Sequence, residues 1–211
     1  MLHEKNTRHA LEQLNTSIIA LGGKELTSLA LQQIIDSYNE PWRAYHTLQH
    51  IRECLVWLDR FAQQAVCYEE VHIALWLHDV IYKPGSKSSE QESADYASSL
   101  LQQSGIKASS CQRVHDYIMA TASHQYLDQT DACLVMDIDM LILAADDARI
   151  QEYEKQIRQE YARIPGFIYR RKRRSVLQGF LAQHSIYHLA DIRVHHEQKA
   201  RDNISRLIAG L

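Results

Sequence analysis

Apolar side chains recur every three or four positions through most of this chain, the spacing that lines one face of an α-helix. Leu11, Leu14, Ile18 and Leu21 set the first stripe, which Gly22-Gly23 ends. A second runs from about Glu25 to Tyr38 with Leu29, Leu31, Ile34 and Ile35 as its buried side, until Asn39-Glu40-Pro41 breaks it. Leu48, Ile51, Leu55 and Leu58 predict a helix to about Gln64, and an apolar run predicts another from about Glu69 to Tyr82. Lys83 to Ser89 is polar and turn-rich. The helix that follows starts near Ser88 or Ser89, lines its inner side with Ser93, Ala94, Ala97, Leu100 and Leu101, and stops at Ser104-Gly105. Val114, Ile118 and Ala122 mark the inside of a helix from about Ser109 to Ala122. Residues 131–144 are ambiguous in period, and the helical pattern around them favours helix. Three further helices carry Tyr153, Ile157 and Tyr161, then Val176, Leu177, Phe180 and Leu181, then Ile204, Leu207 and Ile208, with a break near Ile164-Pro165-Gly166. No repeat, low-complexity tract or linker interrupts the pattern, so the expectation is a single all-α domain over residues 1–211.

Bulk properties narrow the function. A net charge of −3 and a pI of about 6.4 argue against a general nucleic-acid or membrane-surface binder. Neither a signal-peptide core nor an apolar run near the ~18 residues of a bilayer span is present, which points to a cytoplasmic protein. Cys54, Cys67, Cys111 and Cys133 are scattered without a CxxC pair and read as reduced structural thiols. One dense basic run, Tyr169-Arg-Arg-Lys-Arg-Arg174, is ordinarily a solvated face. It could alternatively touch RNA, or turn an arginine inward towards an anionic substrate.

The chemistry concentrates at His78-Asp79, an imidazole and a carboxylate set among Leu75, Trp76, Leu77 and Val80. A carboxylate in apolar surroundings needs a positive partner, and a divalent ion suits an adjacent His and Asp. As an isolated pair they could equally be a helix-end His beside a capping carboxylate. His46 and His50 lie four apart and share a face if the helix already includes His46. Asp137 and Asp139 again sit in an apolar run and call for a cation, or for a hydrogen-bond donor to one of them. His115 is expected at the surface, and His124 at a helix end where it could reach a pocket.

Taken together, His50, His78-Asp79 and a distant Asp in an all-helical chain resemble the HD-domain superfamily of metal-dependent phosphohydrolases. Arg43-Ala-Tyr-His-Thr-Leu-Gln-His-Ile51, Leu77-His-Asp-Val-Ile-Tyr82, Ala120-Thr-Ala-Ser-His124, Asp137-Ile-Asp-Met-Leu-Ile-Leu143, Ile157-Arg-Gln-Glu-Tyr161 and Ala200-Arg-Asp-Asn203 resemble segments of one predicted bacterial family within it. The resemblance implies a helical, phosphodiesterase-like bundle with His50, His78 and Asp79 as metal ligands. Asp137 or Asp139 would be the last ligand; Asp139-Met-Leu141 matches better, leaving Asp137 as a support or substrate contact. Tyr45-His46-Thr-Leu-Gln-His50 is similar to a Tyr-His-Asn-x-x-His signature of cyclic-nucleotide phosphodiesterases, which makes His46 the candidate general acid. Glu90 and His124 are the nearest stand-ins for the further pocket residues of two-metal relatives, so a second metal stays open.

Two imidazoles and two carboxylates suit Mn, Fe, Co, Ni or Zn better than Mg. The expected activity is hydrolysis of a small phosphate ester, a nucleotide monoester or diester, with Asp79 orienting the attacking water and His46 protonating the leaving group. Arg43 would steady the phosphate, with Arg158 and Arg174 as weaker candidates. The rival readings are a di-iron oxygenase on the same fold and a metal- or nucleotide-binding regulator without turnover. Neither a membrane nor a nucleic-acid partner is expected, and a homodimer is left open.

Overall fold

Ten α-helices and two short 3-10 segments, with no strand, make up the described residues of the computed structural model: 2–123 and 128–211, with side chains from residue 11 onward. The order is α1 (Leu2–Ala20), α2 (Ser28–Tyr38), α3 (Leu48–Arg60), a 3-10 turn (Ala62–Gln64), α4 (Tyr68–Leu77), α5 (Ser89–Gln103), α6 (Ala108–Ala120) and α7 (Thr130–Met140). A second 3-10 segment (Leu141–Ala144), α8 (Asp147–Glu160), α9 (Gly166–Ala182) and α10 (Ala190–Gly210) complete it. The all-α expectation therefore holds. The chain gathers into two compact units, residues 1–136 and 137–211, the division falling inside α7. Among the described residues no helix is long and apolar enough to cross a membrane.

The first unit is built around α4, which packs against α1, α3, α5 and α6. Its residues from Glu70 to Leu77 are all buried, the pattern of a helix enclosed on every side. Val71, Ile73, Leu75, Trp76 and Leu77 each contribute about 1.5–3 kcal/mol by leaving water, enough to carry polar neighbours inward with them. Each polar neighbour is paired. The Glu70 carboxylate receives a two-pronged contact from Arg113, at 2.7 and 2.6 Å. His72 Nδ1 meets the Ser17 hydroxyl at 3.0 Å. At the N-terminal end, Asp131 accepts from the backbone N–H groups of Val66 and Cys67 at 2.7 and 2.9 Å and fixes the entry into α4.

Burial pushes His72 down to about 4, although Asp59 pulls the other way. The folded state thus holds His72 neutral while the unfolded chain takes up a proton near 6.5. Stability from this group is fully present above about pH 6.5 and is lost progressively as pH falls towards 4. The expected loss reaches about 3 kcal/mol. Urea unfolding at pH 7 and pH 4.5 checks it: His72→Gln should show a distinctly smaller drop between the two than wild type.

Several local expectations change. Leu29 is exposed and Leu26 is buried in its place, because Thr27 caps α2 and the inward side of that helix is Ile34 and Tyr38. Ala122 lies past the end of α6 and is exposed rather than inside. The helix containing His78 and Asp79 was expected to reach Tyr82, yet α4 ends at Leu77. Beyond it, Val80 N–H closes a tighter turn onto the Leu77 carbonyl at 3.2 Å. Side chains from elsewhere take the carbonyls that a longer helix would have used: Arg43 those of Asp79 and Val80, Ser93 that of Ile81.

In the second unit α10 packs against the Leu141–Ala144 segment, α8 and α9. Asn203, buried in α10, donates to the carbonyls of Leu143 and Ala145 at 2.7 and 2.9 Å. Arg201 reaches the carbonyls of Leu181, Gln183 and His184, tying down the chain after α9. The Ala200-Arg-Asp-Asn203 stretch is therefore a structural clamp. The basic run on α9 divides: Tyr169 and Arg173 turn inward onto Glu154, whereas Arg170, Arg171, Lys172 and Arg174 are exposed.

Candidate metal centre

Three acceptor-type atoms converge where α3 meets the turn after α4. His50 Nε2 stands 3.2 Å from His78 Nε2, and Asp79 Oδ2 lies 3.0 Å from His78 Nε2 and 3.6 Å from His50 Nε2. Adjacent ligands about 2.0–2.2 Å from a shared ion stand roughly 2.9–3.6 Å apart, so these separations are those of one coordination shell. His78 is set for that role by its other nitrogen. Its Nδ1 faces the Leu75 carbonyl at 2.9 Å, and a carbonyl can only accept, so Nδ1 carries the proton. In the neutral ring Nε2 then presents a lone pair.

Local folding explains the convergence. Thr47 caps α3 by accepting from the Gln49 N–H at 3.3 Å, which starts the helix in time to carry His50 on its first turn. One turn further along, Cys54 Sγ lies 3.7 Å from His50 Nδ1, a neighbour that the i, i+4 spacing alone could have flagged. Asp139 is carried on the last turn of α7, half-buried. Hard oxygen and imidazole nitrogen together are a donor set for a divalent transition metal.

The histidines around Asp79 also set its charge state. Burial alone would raise its carboxyl, but His78, His46 and His50 outweigh that and hold it well below the usual carboxylate range. The Tyr38 phenol is pushed well up, first by burial and then by the Asp79 charge. It stays protonated and donates to the Trp76 carbonyl at 2.6 Å.

His46 does not share a helical face with His50. It lies in the turn before α3, outside the helix, with ring centroids 6.1 Å from those of His50 and 3.9 Å from those of Tyr82, on which it stacks. Arg43 is turned inward rather than towards a ligand. Its Nε meets Glu40 at 2.9 Å, and its two terminal nitrogens reach the carbonyls of His46, Asp79 and Val80 at 3.1, 2.7 and 3.1 Å. Its guanidinium carbon also lies over the rings of Tyr38 and Tyr82, 5.2 and 5.5 Å from their centroids. Arg43 therefore joins the loop that bears His46 to the turn that bears Asp79, and the phosphate contact expected of it gives way to this clamp.

The remaining candidates separate. Asp137 is buried, and its two oxygens accept from the N–H groups of His188 and Leu189 and from His188 Nδ1, all at 2.8–2.9 Å. Asp137 is thus donor-paired, an anchor at the start of α10 and not a substrate contact. Arg158 caps α8, donating to the carbonyls of Tyr161 and Ile164, and lies over Tyr169. Arg174 is exposed on α9, and Glu90 is half-buried in the first turn of α5. His124 lies outside the described residues. Comparison with protein-family models, with curated proteins and with solved structures found no match to this chain.

Proposed function

We propose that the chain is a metal-dependent phosphohydrolase of the HD type, acting on a small phosphate ester of the nucleotide class. The observation that carries this reading is the approach of His50 Nε2, His78 Nε2 and Asp79 Oδ2 to within 3.0–3.6 Å of one another. Such a set of acceptors gains most from a shared cation. The further ligand that the resemblance implies is Asp139. A divalent ion held there would draw charge from a phosphoryl oxygen and acidify water.

The residues divide the remaining work. Asp79, kept ionised by its histidine neighbours, can accept a hydrogen bond from the attacking water and set its direction. His46, outside the ligand set, delivers a proton to the departing oxygen. His78 is held in one tautomer by Leu75, so its lone pair does not turn away. The nucleotide class follows from the likeness of Tyr45-His46-Thr-Leu-Gln-His50 to the phosphodiesterase signature.

The test is a screen of nucleotide monoesters, diesters and an aryl phosphate with the chain reconstituted separately with Mn, Fe, Co, Ni and Zn. Phosphate or alcohol release with at least one ion, abolished by chelator, is the expected result. Tight nucleotide binding without product under every ion would instead identify a regulator. Oxygen uptake by the iron form without phosphate release would identify an oxygenase.

A further inference from the structure

We propose that Tyr82 is a positioning residue whose ring fixes the His46 imidazole for proton delivery to the leaving group. The proposal rests on the reading of His46 as general acid. His46 lies before the Thr47 cap, so no helical backbone dictates where its side chain goes. Packing must do so. The Tyr82 ring covers one face of the imidazole at 3.9 Å between centroids and 25° between planes, and Tyr45 meets it edge-on at 5.0 Å.

Tyr82 is itself held from three sides. The Trp42 indole N–H donates to its carbonyl at 3.1 Å. The Arg43 guanidinium lies over its ring at 5.5 Å. The preceding residue, Ile81, is gripped through both N–H and carbonyl by the Ser93 hydroxyl at 3.0 Å. A rigid turn thus presents a flat surface to an imidazole that lies outside any helix. Proton transfer needs heavy atoms about 2.6–3.2 Å apart, and an error near 1 Å costs on the order of a hundredfold.

The test is turnover of a series of aryl phosphates of increasing leaving-group pKa by wild type, His46→Gln, Tyr82→Ala, Tyr82→Leu and Tyr82→Phe, with metal content measured on each. His46→Gln should lose most with poor leaving groups. Tyr82→Ala should steepen the dependence in the same direction, losing about 10–100-fold with the poorest leaving groups while retaining metal. Tyr82→Leu fills the space without a stacking ring and should behave likewise if the alanine chain does not fold. Tyr82→Phe should restore the wild-type slope. A steeper slope in His46→Gln with an unchanged slope, or a uniform loss, in Tyr82→Ala and Tyr82→Leu overturns the positioning role alone. An unchanged slope in His46→Gln, or no turnover by wild type, overturns the reading on which it rests.

Discussion

Asp79→Ala is expected to abolish measurable phosphoester turnover and to weaken metal retention through dialysis. The carboxylate lies 3.0 and 3.6 Å from the Nε2 atoms of His78 and His50. On the proposed reading, its removal takes away both an anionic ligand and the acceptor that orients water. Together these are worth several kcal/mol of transition-state stabilisation, and each 1.36 kcal/mol is tenfold, so the loss should be about a thousandfold or more. Asp79→Asn, which keeps the shape but loses the charge, should fall nearly as far. Elemental analysis beside an aryl phosphate assay decides it. Full metal occupancy with wild-type turnover in Asp79→Ala would refute the assignment.

Arg43→Ala should give the largest loss of stability. The side chain is fully enclosed, and removing it strands the carbonyls of His46, Asp79 and Val80 and leaves the Glu40 carboxylate without its cation. Unsatisfied buried acceptors cost about 1–3 kcal/mol each before relaxation, and a broken buried ion pair about 3–5 kcal/mol. Glu40 is partly exposed, which lowers its share, so a net loss of about 3–5 kcal/mol is expected. In urea that is a midpoint lower by about 2 M. Arg43→Lys should recover less than half, because a single ammonium cannot reach carbonyls on two segments as the planar fork does. The measurement is made on metal-free chain, so that binding does not mask it. A loss under about 1 kcal/mol would show that the clamp is dispensable.

Helical periodicity made the architecture legible, since apolar stripes at 3.6-residue spacing survive whatever they pack against. Helix ends were less legible because their causes are distant in sequence. Nothing near Leu77 announces a stop; Arg43 and Ser93 impose it by taking the carbonyls of Asp79, Val80 and Ile81. Leu29 carries the right residue type on the wrong side, and the Thr27 cap that sets the phase of α2 is a local cue that could have corrected it.

The approach of His50, His78 and Asp79 to one another was readable because residue type and motif coincide. The pairing of Asp137 depends on His188, 51 residues beyond it, with no periodic or motif signal linking them. Arg43 has the chemistry to hold phosphate, and only its geometry reveals three backbone carbonyls as its partners. Tyr82 closes a segment that carries the family resemblance, but neither it nor Trp42 was singled out by residue type. What they touch, the His46 ring and the Tyr82 carbonyl, shows only in the folded chain.

The most direct measurement is elemental analysis of wild type and His78→Ala purified without chelator, followed by calorimetric titration of each with Mn, Fe, Co, Ni and Zn. A transition-metal ion bound to wild type and absent from His78→Ala is the predicted result. A wild-type chain that carries no such ion and takes up none of the five would contradict the account at its root.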